Sequence, residues 1–288
     1  MKKLNFLILA VVVFILQSCL KGRDMVLDPD QVKDVIEFGD ISAPTSAATA
    51  PFRLFVPMTL DPEVSEVTLE AFVNFVGPNT APEDITVSIG VDPAALARYN
   101  TSQNSSYNHL EVGAYEMPTT VLIKKGQRKG TFPIKLKTAQ FDQLKNNALT
   151  LKITQASNGQ TISGNFGTVI YSFPIKSIWD GTYTYTVKND FGTIDGNNIN
   201  FTETDIPLRT VGPNRVRMTN LWQTYSGYSE YQFNASNTNI TEVLAFSGSL
   251  RASSINQVVV VDPVNHIFEI HWTGIGRGVK ERFVRTGD

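Results

Sequence analysis

The residues that could do chemistry are few and scattered. Of the three histidines, His109 lies in a polar stretch with no acid or histidine at ligand spacing. His266 and His271 share a predicted strand, but a separation of five puts them on opposite faces, so they cannot hold one metal together. Glu269 and His271 do share a face. The opposite face of that strand (Phe268, Ile270, Trp272) is apolar, so theirs reads as a solvated outer surface. Gly274-Ile275-Gly276-Arg277-Gly278 follows a strand like a phosphate-cradling loop, yet Val279–Arg285 alternates as a strand where a dinucleotide site needs a helix. Asp190, Asp195 and Asn197 could approach calcium but lack the alternating acids and distal Glu of a calcium loop. No serine sits in a nucleophile elbow. The 27 acidic residues guarantee chance carboxylate pairs, whose hydrolytic competence only geometry decides. A barrel enzyme needs ~250 residues, and residues 178–288 number 111. The expectation is a non-enzyme with no catalytic residue, metal or cofactor.

The aromatic residues are more informative. All three Trp (Trp179, Trp222, Trp272) and five of nine Tyr fall after residue 178. Trp222, Tyr225, Tyr228 and Tyr231 surround Ser226-Gly227, which reads as a loop tip between two strands. Rings on a rigid loop can stack on a pyranose while Gln223, Asn220 or Arg217 bind its hydroxyls. The competing fate is core and cross-strand packing, to which Trp272 and Tyr231 are assigned. Trp222, Tyr225, Tyr228 and Gln223 form the expected carbohydrate site.

The N-terminus reads MKKLNFLILAVVVFILQSCL. Lys2 and Lys3 precede an apolar run, Phe6–Leu16, too short for the ~20 residues of a membrane span and suited to a signal peptide. Leu16-Gln17-Ser18-Cys19 resembles the lipobox of bacterial lipoproteins, with Gln17 standing where a small residue is usual. The resemblance implies that residues 1–18 are removed and that Cys19, the sole cysteine, carries a diacylglycerol. At ~0.8 kcal/mol per buried methylene, two or three acyl chains hold a protein to a bilayer. The expected location is the bacterial outer membrane, with the surface or periplasmic face open, because only Asp24 represents the acidic cluster of surface-export tags.

The mature chain then keeps 23 basic residues against 27 acidic ones. That balance argues against a nucleic-acid partner. One cysteine excludes a disulfide framework and cysteine-built zinc sites. Residues 19–34 read as a tether, and Ile41–Pro51 (ISAPTSAATAP) as a loop. Period-two segments follow from Phe52 to Ile175, with one helix opened by Asp92 and Pro93. This pattern predicts a β-sandwich over 35–175. Beyond it, Thr182–Lys188 (TYTYTVK) alternates, Asp195-Gly196-Asn197-Asn198 signals a tight turn, and Asp262-Pro263-Val264-Asn265 signals a hairpin. Residues 178–288 therefore predict an antiparallel meander or lipocalin-like barrel that hides its own edges.

The run ITVSIGVDPAALARYN from Ile85, with Tyr107, Leu110, Gly113–Pro118 and Val121–Gly126, resembles an N-terminal β-sandwich domain, Ig-like and without assigned activity, of Bacteroidetes lipoproteins from glycan-utilisation loci (SusE/SusF-like accessory proteins). It covers roughly residues 35–175, about half the chain. The resemblance implies an outer-membrane lipoprotein with an accessory, often carbohydrate-binding role. It supplies no catalytic residues, and only Cys19 transfers as a functional position. The alternatives are a structural or assembly lipoprotein docking on an outer-membrane protein through a sheet edge or loop patch, and a small hydrolase.

Overall fold

The computed structural model describes residues 33–39, 42–189 and 199–288. The chain is mostly β, with sandwich-like sheets followed by a nearly closed, nine-stranded barrel-like sheet. Cys19, the leader, the tether to residue 32, and the Asp190, Asp195 and Asn197 group lie outside the described residues, as does the turn at 195–198.

The first part comprises β1 (Val35–Phe38), β2 (Arg53–Phe55), β3 (Val67–Val76), β4 (Ile85–Val91), α1 (Pro93–Gln103), β5 (Tyr107–His109), β6 (Tyr115–Glu116), β7 (Thr120–Ile123), β8 (Lys129–Leu136), β9 (Asn146–Ala156), β10 (Thr161–Ile162) and β11 (Thr168–Phe173). One sheet runs β10-β1-β3-β8-β6, the other β2-β11-β9-β4-β7 with β5 on β9. Alternation explains the layering. In β3, Leu69, Ala71, Val73 and Phe75 point inward and Thr68, Glu70 and Val76 face water, as a one-sided strand requires. Their inner faces meet Ile85, Val87, Leu149, Leu151 and Tyr171 of the second sheet in one core. Three pairings are parallel (β1 with β10, β2 with β11, β5 with β9). The first two join N-terminal strands to partners more than 100 residues later, so neither needs a local crossover helix.

In α1 the Asp92 carboxylate accepts from the Ala95 N–H at 3.0 Å and Pro93 opens the helix. Asn104, at φ +49°, closes it with its N–H on the Asn100 carbonyl. Leu96 and Tyr99 bury against Leu54, Ala148 and Ile170 on the outer face of the second sheet.

The second part adds β12 (Gly181–Asn189), β13 (Asn200–Gly212), β14 (Arg215–Leu221), β15 (Tyr225–Phe233), β16 (Ile240–Phe246), β17 (Leu250–Ala252), β18 (Ser254–Asp262), β19 (Ile267–Gly274) and β20 (Arg277–Gly287). The order is β17-β16-β15-β14-β13-β12-β20-β19-β18 and every pairing is antiparallel. Residues 250–262 bring the two edges together. Their first part pairs with β16, the Ser253 N–H donates to the Val243 carbonyl, and the rest pairs with β19. The interior is aromatic. Phe268 stacks on Phe283 (centroids 4.3 Å apart, 19°) and Trp179 on Phe233 (4.5 Å, 14°). Such offset pairs contribute ~0.5–1.5 kcal/mol beyond their burial.

The segment joining the parts is bonded on both sides. Leu60 donates to the Pro174 carbonyl and accepts from the Lys176 N–H. One residue later the Ser177 N–H donates to Thr210 Oγ1 at 3.0 Å. The Thr210 N–H donates to Asp180 Oδ2 at 2.6 Å, and Arg285 donates to the Ile178 and Asp180 carbonyls. Trp179 buries completely in the barrel, its indole N–H on Asn237 Oδ1. The adjacent residues Lys176 and Ser177 are thus bonded to different parts of the chain, Lys176 to Leu60 and Ser177 to Thr210.

Candidate functional site

The expected carbohydrate site lies at one end of the barrel, arranged differently from the reading of its sequence. The connection between β14 and β15 is Trp222–Thr224, with the Thr224 N–H on the carbonyl of Leu221, the last residue of β14, at 3.1 Å. Ser226 and Gly227, expected at a loop tip, lie within β15. Gly227 serves a close approach instead. Its φ is +133°, and a Cβ there would stand 1.9 Å from the Phe246 carbonyl oxygen of β16, a contact only glycine permits.

Trp222 and Gln223 occupy the two central positions of this tight turn at φ +51° and +50°, and Asn220, on the other side of Leu221, is at +66°. A turn with positive φ at both central positions is formed most easily by Asn and Gly, and here it lies in a three-residue loop closed by the Leu221–Tyr225 pair. Each side chain forced into it costs about 1–2 kcal/mol. Trp and Gln at these positions place local strain here, of the sort that concentrates at ligand clamps.

The turn separates the four candidates. Trp222 is 1% exposed, which corrects its expected role as an open stacking platform: its ring packs inward, 5.5 Å from Trp272. Its indole N–H finds no acceptor among the described residues. Tyr225 is half-buried, edge-on to Trp222 (6.1 Å, 82°), with the Arg277 guanidinium 4.8 Å above its ring and donating to its hydroxyl. Gln223 stands at the rim, its amide folded back to donate to the Thr219 carbonyl at 2.6 Å. Tyr228, three residues from Tyr225 across a β-bulge, points to the outer face. Phe246 stacks on one side of its ring (4.9 Å, 6°) and Arg217 lies 3.9 Å above it. Coplanar exposed rings at 222, 225 and 228 are therefore not formed; Trp222, Tyr225 and Gln223 come together and Tyr228 does not join them.

Arg277 was not expected at this site. The hairpin between β19 and β20 delivers it, with Gly274 paired to Arg277. Gly274–Gly278 is thus a strand connection and no phosphate cradle. Arg217 is held by Glu230 at 2.5 Å.

Deeper in the barrel, Glu281 is fully buried and accepts from Tyr185 (2.6 Å), Tyr231 (2.8 Å) and the indole N–H of Trp272. Burial raises the Glu281 carboxyl above the ordinary glutamate value, against the lowering effect of these bonds. Burial, then the adjacent carboxylate, raises both tyrosine hydroxyls well above the usual phenol value. They act as donors.

The histidines stay apart. His109 Nδ1 is 2.9 Å from the Leu110 carbonyl oxygen. His266 sits in a turn beside Trp179, its pKa lowered chiefly by burial. His271 lies 3.7 Å from Glu269 on the outer face. Among the described residues no group of three or more His, Cys, Asp or Glu gathers as for a metal, and no helix is long and apolar enough to cross a membrane.

Residues 47–160 match a family described as a "-like, N-terminal domain". No curated protein matches the chain. It is similar to solved structures from Bacteroides. One is a Bacteroides ovatus protein of unknown function (16% identity, TM-score 0.47, covering 87% of this chain and 93% of that one). Another is a B. ovatus multidomain protein including DUF1735 (16%, 0.45, 87% and 92%). A third is an auxiliary nutrient binding protein from Bacteroides thetaiotaomicron (14%, 0.39, 85% and 94%).

Proposed function

We propose that the chain is a membrane-anchored, extracytoplasmic lipoprotein with a non-catalytic, carbohydrate-binding accessory role. Acylated Cys19 would hold it to the outer membrane after loss of residues 1–18, with residues 19–34 as tether. The sandwich (35–175) would act as spacer and the barrel (178–288) would make the contact. The observation that carries the binding role is the strained Trp222-Gln223 turn. It sets a buried indole N–H without an acceptor beneath Tyr225 and Arg277, where the favoured Asn-Gly would fold more easily. The half-buried ring of Tyr225 offers apolar surface to a sugar, and the Arg277 guanidinium over it supplies donors at the same rim.

The test is a carbohydrate panel presented to the soluble mature chain, wild type beside Tyr225→Ala. Binding that Tyr225→Ala abolishes in a folded protein supports the reading. A panel without binders, together with co-purification of a stoichiometric outer-membrane protein, would replace it with the docking role. Turnover of a panel member would replace it with a hydrolase.

A further inference from the structure

A groove runs along the junction of sandwich and barrel. Its first part, a depression of about 260 Å³, lies between Gln143, Lys145 and Asn146 of the sandwich and Thr210, Val211 and Pro213 of the barrel, with Pro174 of the linker in its wall. It continues across Lys145 and Asn146 into a second depression of about 410 Å³ bounded by Ser106, Tyr107, Asn108 and Leu144. These are the dimensions of small-molecule sites, which favour domain interfaces.

The lining has a definite chemistry. The side chains of Gln143 and Asn146 make no hydrogen bond among the described residues, and each offers both donors and an acceptor. Thr210 Oγ1 accepts from the Ser177 N–H, which leaves its own hydrogen to donate. Leu144 and Val211 are exposed at 43% and 41%, and Pro174 and Pro213 add apolar wall. No carboxylate lines either depression. The one charged residue, Lys145, has its ammonium 3.3 Å from Asp142. Amides and a hydroxyl that both give and accept, set between apolar patches without net charge, match a molecule of alternating hydroxyls and C–H faces. The doubly bonded linker fixes the two walls, so the groove is formed before a ligand arrives and little ordering cost falls on binding.

We propose that this junction groove is a second binding site, for an uncharged oligosaccharide, built from both parts of the chain. It shares with the barrel-end reading only the ligand class; its residues and evidence are separate.

The experiment uses the soluble mature chain carrying Tyr225→Ala, which silences the barrel end, and titrates it calorimetrically with neutral gluco-, manno- and xylo-oligosaccharides of four to eight units and with uronate-bearing counterparts. The expected result is binding of a neutral member that weakens about tenfold on adding Gln143→Ala and Asn146→Ala, as loss of two hydrogen-bonding side chains predicts. Both residues are at the surface, and an unchanged thermal midpoint establishes that the variant is folded. Binding unaffected by the two substitutions, or tighter binding of uronates, overturns the groove and leaves the barrel-end reading standing. Binding by wild type that Tyr225→Ala alone eliminates overturns the groove and supports the barrel end. No binding to any carbohydrate by wild type overturns both.

Discussion

Tyr185 donates its hydroxyl hydrogen to Glu281 at 2.6 Å, although the two residues are 96 positions apart and neither is reached by water. With Tyr231 and Trp272 bonded to the same carboxylate, this contact ties strands β12, β15, β19 and β20 across the barrel interior. Removing an acceptor that serves three buried donors costs far more than the net ~1 kcal/mol of an average hydrogen bond. Glu281→Leu is expected to destabilise the protein by about 3–5 kcal/mol, measured by urea unfolding. A loss below about 1 kcal/mol would show that the network is idle.

The same group predicts a pH dependence. Burial raises the folded carboxyl above its unfolded value, so the folded state holds that proton more tightly. Its contribution is full below the ordinary glutamate range and is lost as pH rises through the folded value. Glu281→Gln removes this contribution. The deficit of the Gln variant should be largest near pH ~4 and narrow toward neutrality. Unfolding free energies of both proteins across that range check the sign, and a deficit that widens with pH contradicts it.

Asp180 anchors the junction through the Thr210 N–H and faces Lys176 and Arg209 at 3.8 and 3.6 Å. Asp180→Ala should cost about 1–3 kcal/mol by orphaning that N–H. It should also open residues 176–180 to proteolysis, read by limited digestion. Cleavage at wild-type rate would show that the linker is held by its other bonds alone.

The lipid anchor is tested by mass spectrometry of the natively produced protein. The expected mass is that of residues 19–288 plus acyl glyceride on Cys19. An intact leader, or an unmodified thiol at the new N-terminus, removes the membrane from the account.

Much of the fold was legible in the sequence because period-two alternation survives wherever one strand face is wet. Val67–Phe75 and Thr182–Lys188 alternate in the sequence, and Leu69, Ala71, Val73, Phe75, Tyr183, Tyr185 and Val187 are the buried residues. Asp92 and Pro93 announced the helix through the hydrogen bond that caps it. The candidate site was less legible. Gly227 imitates a turn residue, while its actual role, clearance for the Phe246 carbonyl, depends on a strand 19 residues later. Trp222-Gln223 carries none of the usual signals of the turn it forms, since the strain there opposes local preference. Arg277 meets Tyr225 across the barrel end from a strand that is no sheet neighbour of β15, and the junction groove joins residues near 107, 145 and 211 that no spacing relates. At Gly274–Gly278, by contrast, the alternation of Val279–Arg285 that argues against a phosphate loop belongs to the strand that pairs back on β19.

The strained turn tests the central claim most directly. Trp222→Asn with Gln223→Gly supplies the residues this turn prefers, and relief of the left-handed side chains should raise stability or offset the lost Trp222 packing at the cost of function. The measurement is carbohydrate affinity of this variant beside wild type, with urea unfolding to establish that the variant is folded. A folded variant whose affinity falls at least about tenfold is the predicted result; a folded variant that binds as wild type does would contradict the account.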